Sequence, residues 1–161
     1  MESKIVLFDA DSLIYQAVYK VIDFAEIRGM YKAKKQRFEI EMEILQRGYD
    51  RFEKLTFDIL NEIGEHFNVE KTNYFFTKCR NNFRKQIDPQ YKANRTKRNK
   101  WVNELRDYLL EYWENSFAHD EYEADDLIGT IVKQSEENKL DGNVENIIVT
   151  GDLDTLQLVS P

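Results

Sequence analysis

The sequence predicts an α/β fold with a largely parallel central sheet flanked by helices. Two short apolar runs, Ile5-Val6-Leu7-Phe8 and Ile147-Ile148-Val149, lack alternation, as strands covered on both faces do. Each leads into acids, Asp9-Ala10-Asp11 and Asp152-Leu153-Asp154, which places carboxylates at the carboxyl ends of strands. Between the runs, apolar residues recur at steps of three and four, the mark of helices with one buried face. Strands alternating with helices imply crossover connections and a parallel sheet.

In chain order, Lys4 to Phe8 is the first strand, and Ser12 caps a helix carrying Leu13, Ile14, Ala17, Val18 and Val21. Gly29 to Arg37 breaks the pattern. With Arg28, Lys32, Lys34, Lys35 and Arg37 it reads as a basic loop, either solvated or touching phosphate. From about Phe38 to Phe67 runs a long amphipathic helix whose stripe is Leu45, Tyr49, Phe52, Leu55, Ile59, Ile63 and Phe67. That stripe is core and carries no chemistry; Gly48 within it marks a kink or a close contact. Asn68 and Val69 end the helix, and Tyr74-Phe75-Phe76 is a short buried strand.

Asn81 to Asn99 is irregular and basic. Trp101, Val102, Leu105, Leu109, Tyr112 and Trp113 then form another helical stripe, and Phe117-Ala118 is briefly extended. An acidic helix start follows, with Ala124, Leu127, Ile128, Ile131 and Val132 as its apolar face. Residues 133–145 are a polar helix end and a turn at Asp141-Gly142-Asn143. A strand at Asn146 to Thr150 comes next, and Leu156 to Val159 open one more element. The order is β-α-α-β-α-β-α-β. With 161 residues, two prolines and six glycines, residues 1–161 read as one domain without a flexible linker.

No run approaches the roughly 18 apolar residues of a membrane span, and no signal-peptide pattern opens the chain. The single Cys79 has no internal disulfide partner, so a reducing, cytoplasmic setting is expected, with no membrane partner. The net charge of −7 is unevenly distributed. Lys78 to Lys100 holds nine basic residues against one acid, and the rest of the chain is strongly acidic. A concentrated basic segment on an acidic body is the footprint of polyanion binding, with a solvated loop as the simpler alternative.

Glu121, Glu123, Asp125 and Asp126 place four carboxylates within six residues at the acidic helix start. Asp120 is a natural N-cap, and Glu123 three residues on completes a capping box. Capping needs one or two acids, however, and three on one turn repel unless a cation lies between them. Together with Asp9, Asp152 and Asp154, this suggests hard divalent cations held by oxygen ligands, Mg²⁺ or Mn²⁺, at the sheet edge where open α/β folds bind ligands. Two such ions about 4 Å apart can activate water and hold a scissile phosphate. Lys92 and Arg95, three apart, face one way if their segment is helical, and either suits a phosphate on which charge develops. His66 and His119 are lone histidines with no nucleophile beside them in the sequence.

Four motifs carry a resemblance: F-D-A-D-S-L-I-Y-Q-A (8–17), F-R-K…D-P-Q-Y-K-A-N-R (83–95), E-Y-E-A-D-D-L-I-G-T (121–130) and I-I-V-T-G-D-L-D-T-L-Q-L-V-S-P (147–161). In this order and spacing they resemble the 5′-nucleases, the flap endonuclease superfamily. That superfamily includes phage 5′-3′ exonucleases and the 5′-nuclease domain of bacterial DNA polymerase I. The resemblance implies a PIN-like core with a basic helical-arch segment, acting on DNA with a free 5′ end or a 5′ flap. It implies one metal site at Asp9, Glu123 and Asp125 and a second at Asp126, Asp152 and Asp154. Arg84, Lys92 and Arg95 match the family's catalytic positive residues at the arch base. Lys85, Lys97, Arg98 and Lys100 join them as nucleic-acid-binding residues.

Two departures bear on this. Phe76-Thr77-Lys78 stands where the family has an acid after its second strand, so Thr77 replaces one ligand, through water, or the ligand is missing. The family pattern also continues past Pro161 with a further acid and a helix-hairpin-helix module that grips duplex DNA. A second polypeptide completing the fold is therefore a further expectation. Two other readings stay open: a weak or inactive DNA-binding subunit, favoured by Lys78 beside the acids, and a PIN-type ribonuclease.

Overall fold

The computed structural model describes residues 3–21, 23–33, 36–78, 82–92, 100–137, 145–152 and 158. In order these form β1 (Ser3–Asp9), α1 (Asp11–Val21), α2 (Phe24–Lys32), α3 (Arg37–Gly64), β2 (Asn68–Phe75), α4 (Phe83–Ile87), α5 (Lys100–Tyr112), β3 (Ser116–Phe117), α6 (Ala124–Glu137) and β4 (Glu145–Val149). The strands make a four-stranded sheet in the order β3-β2-β1-β4, parallel at every pairing. The α/β class and the parallel sheet agree with the sequence reading.

Alternate residues of the two central strands serve two cores. Val6, Phe8, Tyr74 and Phe76 pack with α1, α3 and α5, where Ile14, Val18, Ile40, Phe52, Leu105 and Leu109 are buried. Leu7 and Phe75 pack against Ala124, Ile128 and Val132 of α6. The sheet is thus covered on both faces, as its unbroken apolar runs require. Phe8 stacks on Tyr74 at 5.0 Å, and Trp113 meets Phe52 edge-on at 5.0 Å, which locks α3 and the end of α5 onto β2.

Several boundaries differ from the sequence reading. The expected loop at Gly29 is helical: Asp23 accepts the N–H groups of Ala25 and Glu26, and α2 continues through Gly29 to Lys32. Lys34 and Lys35 lie outside the described residues. Ser12 does not cap α1; the helix starts at Asp11, and the Ser12 hydroxyl donates to the Asp9 carbonyl. The fully buried stripe of α3 is Ile40, Ile44, Gly48, Phe52 and Thr56, which shares only Phe52 with the expected row. Leu45, Tyr49, Leu55, Ile59 and Ile63 flank it, half-buried, and Phe67 is exposed beyond the helix end. Thr56 tolerates burial because its hydroxyl donates to the Glu53 carbonyl.

Gly48 is a close contact within the continuous helix α3: a Cβ there would lie 2.9 Å from Leu105 Cδ2. Asn68 and Val69 open β2, which is longer than Tyr74-Phe75-Phe76. Its polar first half is exposed, so only its pairing with β1 reveals it. Tyr112 is exposed and leaves the α5 stripe. Residues 83–87, read as irregular, form the short helix α4, capped by the Asn82 side chain on the Arg84 N–H. Cys79, the turn at 141–143 and Leu156 and Val159 lie outside the described residues; Leu158 packs against the α6 core.

Candidate metal centre

Three carboxyl ends of the sheet meet the amino end of α6. β1 delivers Asp9, the segment after β2 delivers Thr77, and the segment after β4 delivers Thr150 and Asp152. The sequence places Thr and Asp after apolar strands, where the backbone leaves the core and polar side chains can turn to one edge.

The acidic turn is built differently from the predicted capping box. Helix α6 begins at Ala124, and Asp126 accepts the N–H of Glu123 at 3.0 Å. The box therefore sits one turn later than Asp120–Glu123, with Glu123 as the flanking residue and Asp126 reaching back to it. The next free N–H, that of Ala124, donates to the Thr77 hydroxyl at 3.0 Å. Thr77 is fastened at all three of its polar groups. Its N–H donates to both oxygens of Asp11 at 3.1 and 3.2 Å, and its carbonyl accepts from Arg106 at 2.8 Å. Thr77 and Asp11 thus tie β2, α1, α5 and α6 together at the edge. Neither role was legible beforehand, because each depends on contacts across more than 45 positions of chain.

Among the described residues, Glu123, Asp125 and Asp126 form a group in which one carboxylate oxygen from each lies within 4.8 Å of the others. Glu123 is buried, and Asp125 and Asp126 are half-buried. The donor set consists of hard oxygens only, several of them anionic, which fits a divalent cation. Burial, then the charges of Asp126 and Glu123, push the Asp125 carboxyl above its ordinary value. Asp9 accepts the Thr150 hydroxyl at 3.1 Å. Burial, then Asp11, with a smaller contribution from Asp125, raises its carboxyl to about 6. Asp9 therefore feels Asp125 across the edge. Asp152 is exposed and joined to Asp9 through Thr150, whose hydroxyl oxygen accepts the Asp152 N–H at 3.0 Å. Asp154 lies outside the described residues. The structure thus gathers Glu123 and Asp125 with Asp126, whereas the resemblance divides them between two sites.

The basic residues arrive from α4 and the turn after it. Arg84 grips Asp126 with two nitrogens at 2.5 and 2.6 Å and reaches Glu123 at 3.1 Å. Lys92 pairs with Glu123 at 2.5 Å. It sits at φ 56°, in the left-handed region, so it is not on a helix and the helical spacing with Arg95 does not hold at its end. Asn82 and Tyr91, not singled out from sequence, also donate to Glu123 at 3.3 and 3.4 Å. The Asn82 signal was present as an N-cap type before Phe83-Arg84-Lys85, but its second bond was not. Lys85 is exposed on α4, and Lys100 pairs with Glu41 and Glu104 at the start of α5. Arg95, Lys97 and Arg98 lie outside the described residues.

Lys78 pairs with Asp107 of α5 at 3.1 Å, an ion pair outside the Glu123–Asp125–Asp126 group. His66 and His119 are exposed, and the His119 Nδ1 accepts the Glu121 N–H. Among the described residues no helix is long and apolar enough to cross a membrane.

Comparison with known proteins gives the same direction. The family described as 5′-3′ exonuclease, N-terminal resolvase-like domain, matches residues 4–161. The chain is 26% identical over 163 residues to DNA polymerase I of Caldicellulosiruptor bescii, covering 97% of this chain and 16% of that protein. It is 25% identical over 165 residues to DNA polymerase I of Bacillus caldotenax, covering 100% of this chain and 16% of that protein. The chain thus spans about a sixth of the length of these relatives. Parallel sheet, acidic edge and matched domain agree, and the chain belongs to the 5′-3′ exonuclease, N-terminal resolvase-like domain family.

Proposed function

We propose that the chain is the catalytic core of a divalent-metal-dependent 5′-3′ exonuclease or 5′ flap nuclease that hydrolyses DNA phosphodiesters. The observation that carries this reading is the meeting of Glu123, Asp125 and Asp126 with Arg84 and Lys92 at one sheet edge. Anionic oxygens suited to cations and cations suited to phosphate lie within a few ångströms of each other. Bound divalent ions, Mg²⁺ or Mn²⁺ and two in number, supply phosphate polarisation and an activated water. Asp9, Glu123 and Asp125 would hold one ion, and Asp126, Asp152 and Asp154 the other. Arg84, Lys92 and Arg95 would bind the scissile phosphate, and Lys85, Lys97, Arg98 and Lys100 the neighbouring backbone of a strand with a free 5′ end. Thr77 and Asp11 hold the edge in register so that these groups face one another.

The test is Mg²⁺-dependent cleavage of three substrates: 5′-flap DNA, single-stranded DNA and RNA. Cleavage of the DNA substrates, abolished by Asp125→Asn, supports the reading. Cleavage of RNA alone would favour a PIN-type ribonuclease, and binding without cleavage would favour a DNA-binding subunit. Neither the described residues nor the relatives supply support for a second polypeptide that completes the fold.

A further inference from the structure

Two of the three carboxylates suited to cations, Glu123 and Asp126, are already paired with the chain's own cations. Both oxygens of Asp126 lie in the fork of Arg84, and both oxygens of Glu123 accept from α4 and its following turn. A lone pair bonded to guanidinium or ammonium is not free to ligate a metal, and a divalent ion beside two fixed cations is repelled. The same two side chains are the ones best placed for a phosphate. Most of the Arg84 fork and the Lys92 ammonium are engaged by these carboxylates, so a phosphate competes with them for both cations.

We propose that Arg84 and Lys92 are exchangeable internal counter-ions: a divalent cation entering the Glu123–Asp125–Asp126 group displaces them, and the displaced side chains pass to substrate phosphate. This rests on the metal reading above. Three features favour exchange over a permanent structural pair. Arg84 and Lys92 both come from one short stretch, Asn82 to Lys92, built on a five-residue helix. Lys92 lies in the turn after α4 at φ 56°, a left-handed backbone that L side chains disfavour, rather than on a packed helix or strand. Among the described residues Asp125 is paired with neither cation and accepts the Asp126 N–H, which leaves a carboxylate for first contact with the metal. Linkage then works in both directions. Metal binding frees the cations for phosphate, and phosphate binding frees the carboxylates for metal.

The experiment is a Mn²⁺ titration of the full chain, read as free Mn²⁺ by electron paramagnetic resonance. It is run with and without a single-stranded DNA oligonucleotide carrying phosphorothioate linkages. Arg84→Gln is expected to bind Mn²⁺ about tenfold tighter than wild type without DNA, within the usual range of coupling between sites. Lys92→Gln is expected to shift in the same direction by a smaller factor and decides the matter if Arg84→Gln fails to fold. Arg47→Gln removes the same charge from the Glu26 and Glu43 pairs on the α2–α3 face and is expected to leave affinity unchanged. DNA should tighten Mn²⁺ binding to wild type and not to Arg84→Gln. Mn²⁺ binding that is equal or weaker in Arg84→Gln and Lys92→Gln would overturn the exchange while leaving the metal site standing. Absence of Mn²⁺ binding in every form would overturn the metal reading, and the exchange with it.

Discussion

The Thr77 hydroxyl lies 3.0 Å from the Ala124 amide nitrogen, so the chain leaving β2 caps the helix that carries the acidic turn. Together with the packing of Ala124 and Ile128 on Leu7 and Phe75, this contact fixes the acidic turn against the sheet edge. Removing the oxygen should loosen the site without touching a carboxylate.

Thr77→Val should destabilise the protein by about 1 kcal/mol, the usual cost of losing a helix-capping oxygen. That corresponds to a fall in melting temperature of about 2 to 4 °C for a chain of this size. Thr77→Ser should melt close to wild type, because it keeps the acceptor. Thermal unfolding followed by circular dichroism checks both; a valine variant as stable as wild type would show the contact to be idle.

Mn²⁺ should stabilise the fold, since an ion that binds only the native state adds about 2.7 kcal/mol at a hundred times its dissociation constant. Asp125→Asn combined with Asp126→Asn should abolish that gain while the metal-free variant remains folded. Scanning calorimetry with and without Mn²⁺ reads the difference. An unchanged response in the double variant would sink the assignment of these carboxylates.

Asp9 offers a test by pH. Its folded carboxyl, raised to about 6 from an ordinary 3.8, binds a proton more readily than an unfolded aspartate does. The stability it contributes is therefore fully present below about pH 4 and lost as pH rises through 6. In EDTA, Asp9→Asn should melt higher than wild type at pH 8, by up to about 3 kcal/mol, and no higher at pH 4. Saturating Mn²⁺ should reverse the order at pH 8, because the ion needs the charge that asparagine lacks. A variant with no pH-dependent advantage in EDTA would count against a buried, repelled carboxylate.

The basic residues predict a salt effect. DNA affinity should fall steeply with ionic strength, and each lost phosphate contact should flatten the log–log slope by about 0.7 to 0.9. Lys92→Ala should weaken binding for all sequences alike. The triple variant Arg95→Ala/Lys97→Ala/Arg98→Ala should flatten the slope by two to three such steps. Fluorescence anisotropy across a salt series measures it, and an unaltered slope would remove these residues from the interface.

The sequence by itself determined the class of fold, the two central strands with their terminal acids, the acidic helix and the basic segment before α5. Those features are local: unbroken apolar runs, helical spacing and clustered charge are written in neighbouring residues. Tertiary structure decided what local pattern cannot carry. Gly48 became a helix contact only because Leu105 packs against it. The polar first half of β2 became a strand only because β1 pairs with it. Thr77, unremarkable beside an expected acid, became the tie between β2 and α6. Arg84 and Lys92 were legible as cations, but not as partners of Glu123 and Asp126, residues more than thirty positions away. The reason is common to all four. Composition determines which charges and surfaces a chain possesses, whereas the energy of an ion pair, a cap or a close contact depends on a separation of a few ångströms, and between distant residues only the folded chain sets it.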